Sequence, residues 1–195
     1  MISRLDQLAT ILSKSLSRVE ESIKVYTRTR VVDVDAGTKR LWYEGQDGRG
    51  YYDFDVLVLA TGAVPRAPRE WLGFENVFTL HSLDDADRFR QYIVSDSVKR
   101  VVIVGGGYVG VEVSEALRRL EREVIVVDHH EHLLWHMLDR DVAEHVECTL
   151  VGSGAELVMG KHAVSLEGRD GKARRLILED GEVVEGDAFP SCNGC

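Results

Sequence analysis

Cysteine, proline and long apolar runs are all scarce in this chain of 195 residues. Three cysteines are too few for a disulfide framework. Three prolines exclude a collagen-like or proline-rich chain. No apolar run exceeds about 6 residues, and residues 56–60 are typical, so none spans a bilayer. The opening residues, Met1-Ile2-Ser3-Arg4-Leu5-Asp6, lack an apolar signal core, which makes the cytoplasm the expected compartment. Positive charge is in deficit: 24 Lys and Arg face 33 Asp and Glu, a net charge of −9. With no basic stripe, binding to a nucleic-acid backbone is not expected. What the chain does have is 44% hydrophobic and 29% charged residues, enough to build a core. Its length suits one ordinary domain or two small ones.

Periodicity divides the chain. Ile2, Leu5, Leu8, Ile11, Leu12, Leu16 and Val19 recur mostly at steps of 3 and 4, which predicts an amphipathic helix over 2–20. Residues 24–34 are rich in β-branched side chains and predict a strand, closed by a turn at Asp35-Ala36-Gly37. Residues 39–43 and 50–53 read as hairpin arms around Gly45 and Gly48. The continuous apolar run at 55–60 predicts a buried parallel strand. Ser82, with Asp85 three residues later, is a helix-start pair. From residue 100 onward the elements alternate: strand 100–104, helix 108–120, strand 124–127, helix 139–151, strand 156–159. Such alternation predicts a parallel sheet with right-handed crossovers. Residues 162–185 return to hairpin character around Asp170-Gly171 and Asp180-Gly181, and residues 187–195 carry no periodicity.

The most informative stretch is Gly105-Gly106-Gly107-Tyr108-Val109-Gly110, a G-x-G-x-x-G turn. Three spaced glycines alone say little. Here a strand precedes them, a helix follows, a second apolar strand arrives on schedule, and Asp128 ends that strand 18 residues after Gly110. Gly105 permits the sharp turn, Gly107 lets a pyrophosphate approach the backbone, and Gly110 lets helix and strand pack closely. The helix N-terminus offers free N–H groups and a partial positive charge to phosphate. Asp128 can accept hydrogen bonds from the adenosine ribose hydroxyls and repel a 2′-phosphate. No Arg or Lys occupies 129–133, which favours NAD(H) over NADP(H), although a proton on His129 or His130 would soften that preference.

Residues 101–117, VVIVGGGYVGVEVSEAL, resemble the NAD-binding fingerprint of the pyridine nucleotide-disulfide oxidoreductases. The similar branch contains the coenzyme A-disulfide reductases, NADH oxidases and ferredoxin- or rubredoxin-type reductases. Residues 52–65, YDFDVLVLATGAVP, resemble the segment of those flavoproteins where the flavin and nicotinamide domains meet. The resemblance spans roughly residues 20–187. It implies an α/β fold: a Rossmann-like parallel sheet for NAD, with an incomplete FAD-domain portion containing a β-meander. The implied domains are a partial FAD-domain segment at 1–97, an NAD-binding domain at 98–187 and an atypical tail at 188–195. The implied activity is hydride transfer from NADH to FAD. By motif position, Tyr108 matches the aromatic over the nicotinamide pocket and Glu112 the carboxylate at the nicotinamide end. Ala60, Thr61 and Gly62 match the turn near the flavin.

The chain also departs from that family. Residues 1–59 hold only Gly37, Gly45, Gly48 and Gly50, so the first FAD fingerprint is missing, and no cysteine precedes Cys148. The dimerisation domain is missing too. A truncated member or one piece of a split enzyme is therefore expected, one that binds NAD(H), retains little FAD alone, and either self-associates or awaits a flavin-domain polypeptide. The alternatives are a non-catalytic NAD(H)-binding module and an inactive fragment. No catalytic acid–base pair is identifiable. A G-x-S-x-G elbow and a P-loop lysine are lacking. A short-chain dehydrogenase pair is lacking as well, because position 112 is Glu. Cys192-x-x-Cys195 reads as a frayed tail rather than a redox or zinc pair. His132 and His136 have the i, i+4 spacing of helical metal ligands, but no convergent acidic or Cys partner is evident and no metal site is expected.

Overall fold

The computed structural model describes residues 23–192, so the helix expected over 2–20 and the thiol of Cys195 lie outside the described residues. The chain divides into two compact units, Met1–Thr61 and Gly62–Cys195.

The first unit contains an antiparallel meander of β1 (Arg30–Asp35), β2 (Arg40–Gly45) and β3 (Gly48–Asp53). Asp35 shapes the first turn by accepting from the N–H groups of Thr38 (3.1 Å) and Gly37 (2.8 Å). Those bonds, Thr38's first, hold its carboxyl below the ordinary carboxylate range. The second turn is the two-residue connection implied by the pairing of Gly45 with Gly48. Arg40 closes the open end on Asp53 at 2.6 Å. Two expectations fail here. The strand predicted over 24–34 begins only at Arg30, because Arg28 sits at φ 53°, in the left-handed region, and breaks the extended run. The strand predicted over 55–60 joins no sheet among the described residues, and Val56, Val58 and Leu59 are 75–81% exposed. A strand needs a neighbour for its N–H and C=O groups, and an apolar run by itself does not supply one.

The second unit is built on five parallel strands in the order β4-β11-β5-β6-β7. These are β4 (Val77–Thr79), β5 (Arg100–Val104), β6 (Glu123–Asp128), β7 (Ala155–Met159) and β11 (Phe189–Ser191). Helices α1 (Leu83–Ile93), α2 (Tyr108–Arg119) and α3 (Arg140–Gly152) connect them. α1 starts on the expected capping box, with Ser82 Oγ accepting from the Asp85 N–H and the Asp85 carboxylate accepting from the Ser82 N–H. The antiparallel strands β8 (Ala163–Arg169), β9 (Lys172–Leu178) and β10 (Val183–Glu185) form a second sheet.

Strand alternation assigns the two faces of the parallel sheet. Val101, Ile103, Val124 and Val126 pack with Phe89, Ile93, Leu117 and Leu150 of the helices. Val102, Val104, Ile125 and Val127 pack with Ala173, Leu176, Leu178 and Val184 of the antiparallel sheet. Both faces of β5 and β6 are thus buried, which is why those strands read as unbroken apolar runs.

The compact units meet at Thr61/Gly62, whereas the sequence placed a boundary at 97/98. Residues 62–97 fall in the second unit because β4 hydrogen-bonds β11 and Phe89 and Ile93 of α1 fill the helical face. The stretch expected to be an atypical, frayed tail at 188–195 is instead partly core. β11 lies between β4 and β5, and Phe189 is 1% exposed, a burial worth roughly 1.5–3 kcal/mol. Phe189 N–H donates to Asn76 O at 2.9 Å and Cys192 N–H to Val104 O at 2.7 Å. Pro190 forfeits a donor between them, and a three-residue strand with a central proline leaves little periodic trace. Among the described residues no helix is long and apolar enough to cross a membrane.

Candidate functional site

The glycine-rich turn forms where β5 runs into α2. Gly105 sits at φ +114°, a conformation that side-chain-bearing residues rarely adopt, and its N–H donates to Val127 O at 2.8 Å. Gly106 is held on both sides: its N–H donates to Asp128 Oδ2 at 2.5 Å, and its carbonyl accepts from the Leu134 N–H at 2.9 Å. Gly107 is the N-cap of α2 and offers no capping side chain, so the first N–H groups of the helix face outward without an internal partner. Gly110 packs beneath the turn, where a Cβ would stand 2.0 Å from Gly105 O. A Cβ on Gly107, by contrast, would meet nothing within 4 Å. These two glycines therefore serve different ends, one packing and one open space.

A crevice of about 750 Å³ opens over this turn. Gly105, Gly107, Tyr108, Val109 and Asp128 line it, so the structure brings together five of the seven residues predicted for a dinucleotide. Gly110 lies under its floor, and Glu112, one turn along α2, is exposed and outside the lining. Ala60, Thr61 and Gly62 are exposed and outside the strands and helices.

Asp128 ends β6 with both carboxylate oxygens engaged. Oδ2 holds the turn through Gly106, while Oδ1 accepts from the His130 N–H at 2.8 Å and lies 2.9 Å from His130 Nδ1. The loop that follows is a run of turns rather than a helix, so His132 and His136 do not form the i, i+4 pair. His132 instead faces Glu147 of α3 at 3.3 Å, and Glu147 also accepts from the Leu133 N–H at 2.9 Å, anchoring the loop. His136 packs its edge on His130 with ring centroids 4.9 Å apart.

Sequence reasoning missed Arg66, His81, Ser191 and Cys192, which also line the crevice. Ser191 Oγ donates to Arg66 O at 3.3 Å. β11 delivers Ser191 and Cys192 to the crevice wall, and that strand was not legible. Burial pushes the Cys192 thiol up to about 12. A thiol held protonated is a poor nucleophile. At pH 8, iodoacetamide should therefore modify exposed Cys148 and spare Cys192 in the native protein, with both modified after denaturation. Peptide mass mapping checks this, and native labelling of Cys192 would return residues 188–192 to a frayed tail.

Comparison with known proteins gives a consistent result. The family model for pyridine nucleotide-disulphide oxidoreductases matches residues 2–195. The NADH oxidase of Methanocaldococcus jannaschii is 31% identical over 177 residues, covering 90% of this chain and 39% of that protein. The CoA-dependent NAD(P)H sulfur oxidoreductase of Pyrococcus abyssi is 31% identical over 164 residues, covering 84% of this chain and 36% of that protein. The solved NAD-dependent persulfide reductase from A. fulgidus superposes with a TM-score of 0.76 at 28% identity, covering 92% of this chain and 33% of that one. The chain thus spans well under half the length of the relatives it matches. The match along almost its whole length shows that this chain belongs to the pyridine nucleotide-disulphide oxidoreductase family.

Proposed function

We propose that the crevice over the glycine-rich turn binds NADH in preference to NADPH, and that the chain is the nicotinamide-nucleotide part of an FAD-linked NAD(P)H oxidoreductase. The observation that carries this reading is the juxtaposition of three features in one cleft. They are the outward-facing N-terminus of α2, the empty space above Gly107, and the Asp128 carboxylate pinned to Gly106 N–H. Together they fit a pyrophosphate beside a ribose diol.

In this reading Gly105, Gly107, Val109 and Gly110 shape the turn that presents backbone N–H groups to the pyrophosphate. Asp128 Oδ1 releases His130 and accepts from the ribose hydroxyls, while Oδ2 keeps its hold on Gly106. The same carboxylate disfavours a 2′-phosphate. Tyr108, 61% exposed at the helix start, covers the nicotinamide side of the crevice. Glu112 stands further along α2 at the nicotinamide end. When bound, NADH supplies a hydride, which the whole enzyme of this family type passes to FAD. The unit Gly62–Cys195, with residues 98–187 at its core, serves as the nicotinamide domain, and the unit Met1–Thr61 as the flavin-side segment. The described residues do not fit FAD by themselves: Ala60, Thr61 and Gly62 are exposed coil with no cradle about them. The remaining flavin contacts come from outside the described residues.

A titration following NADH fluorescence, with and without added FAD, tests the proposal. Saturable NADH binding with flavin reduction supports it in full. NADH binding without FAD retention is the outcome expected of the chain alone, because residues 60–62 are exposed coil, and it fits a non-catalytic dinucleotide module equally. No NADH binding refutes it. Asp128→Ala should weaken NADH by about 1–3 kcal/mol through the lost ribose bonds and narrow its margin over NADPH. An unchanged margin in the same titration would remove Asp128 from the ribose.

A further inference from the structure

The loop after β6 gathers more ligating atoms than a ribose contact requires. Asp128 Oδ1 faces two imidazoles at once, His130 Nδ1 at 2.9 Å and His129 Nδ1 at 3.4 Å. One donor atom from each of the three residues lies within 4.8 Å of the others. Two ligands bonded at 2.0–2.1 Å to a tetrahedral ion stand about 3.3 Å apart. The two carboxylate–imidazole separations lie within a few tenths of an ångström of that value. A hydrogen bond to the carboxylate accounts for His130 but not for His129, whose nitrogen lies beyond good hydrogen-bond distance. A cation between the three accounts for both.

The surroundings hold the donors in place. Gly106 N–H fixes Asp128 through its other oxygen, the kind of support that orients a metal-bound carboxylate. The His129 and His130 rings stand with centroids 3.7 Å apart, so they must open by roughly 1.5 Å to ligate one tetrahedral ion together. His162 stacks on His129 at 4.8 Å, and Trp135 stacks on His130 at 5.6 Å. Asp128 is mostly buried, whereas His129 is half exposed, which leaves an entry path from solvent.

We propose that Asp128, His129 and His130 form a site for one divalent transition-metal ion of the zinc type, with water completing its coordination. Two imidazoles and a carboxylate suit such an ion better than magnesium or calcium, which favour all-oxygen sets. The ion takes the carboxylate oxygen that the proposed function reserves for ribose. Ion and NADH therefore exclude one another, a consequence that rests on that reading.

The test uses the full chain, free of affinity tag and stripped with chelator. Calorimetric titration with zinc chloride should show one ion per chain. His129→Gln and His130→Gln should each weaken it at least about tenfold, and His145→Gln, on α3 away from the cluster, should leave it unchanged. Cobalt in place of zinc should give the visible absorption of a four-coordinate N/O site, absent in the double variant His129→Gln/His130→Gln. Circular dichroism of that double variant should match the parent. A parent chain that takes no zinc, or a folded double variant that keeps its affinity, overturns the proposal. In the NADH titration, zinc should raise the apparent Kd of the parent and leave that of the double variant unmoved. A chain that binds zinc but never NADH refutes the dinucleotide reading and leaves the metal site standing. A chain that binds NADH and takes no zinc does the reverse.

Discussion

Gly107→Val is expected to lower NADH affinity at least about 100-fold while the protein melts within a few degrees of the parent. The reason is the unusual freedom at this position. Gly107 has φ −74° and ψ −174°, extended backbone that any residue adopts, and a Cβ there meets no atom within 4 Å. Valine therefore fits the folded chain, at a cost of roughly 1 kcal/mol for a poorer N-cap residue. What it fills is the space over the first N–H groups of α2, where a pyrophosphate must lie against the backbone. Losing those charge-assisted hydrogen bonds removes the main anchor of the dinucleotide. The same substitution at Gly110 would not discriminate, because a Cβ there collides with Gly105 O and perturbs the fold itself. Fluorescence titration alongside a thermal melt reads both quantities. Parent-like affinity in a folded Gly107→Val protein would remove this turn from the site.

The legible parts of this molecule are those whose cause is local. Val101 to Val104 and Val124 to Val127 announce buried strands because both of their faces are covered, so every residue is apolar. Ser82 and Asp85 announce a helix start because the capping box is a contact between near neighbours. The glycine turn and Asp128 were readable for the same reason: a strand, a turn and a helix within one βαβ unit fix their spacing. What failed depends on distant partners. Residues 55–60 carry the composition of a buried strand, but composition cannot report whether neighbouring strands exist to pair with it. β11 was invisible because its three residues contain a proline, and its placement is decided by Val77–Thr79 and Val104, about 90–110 positions away. The convergence of His129 and His130 on Asp128 Oδ1 was missed because it follows from the turn-rich path of the loop. The helical i, i+4 spacing that His132 and His136 offer does not describe that loop.

Asn76→Ala is expected to cost about 3–4 kcal/mol of stability, a large effect for a residue far from any motif. Asn76 is fully buried between the two sheets of the second unit. Its Nδ2 donates to Ala173 O and to Asp187 O, each at 2.8 Å, and its Oδ1 accepts from the Ala173 N–H at 2.8 Å. Alanine leaves one buried N–H and two carbonyls without these partners, in a place where each orphan costs on the order of 1–3 kcal/mol. Asn76→Asp should be worse, since a carboxylate oxygen would then face two carbonyl oxygens without a donor between them. Urea unfolding should show a lower midpoint at unchanged slope for Asn76→Ala. A loss below about 1 kcal/mol would mean that water enters and satisfies the three groups. The damage should reach the crevice as well. Asn76 O accepts from the Phe189 N–H at 2.9 Å, and β11 carries Ser191 and Cys192 to the crevice wall. Iodoacetamide should therefore begin to label Cys192 in the native variant, at denaturant concentrations where the parent still protects it, because local opening of β11 exposes the thiol before the whole unit unfolds.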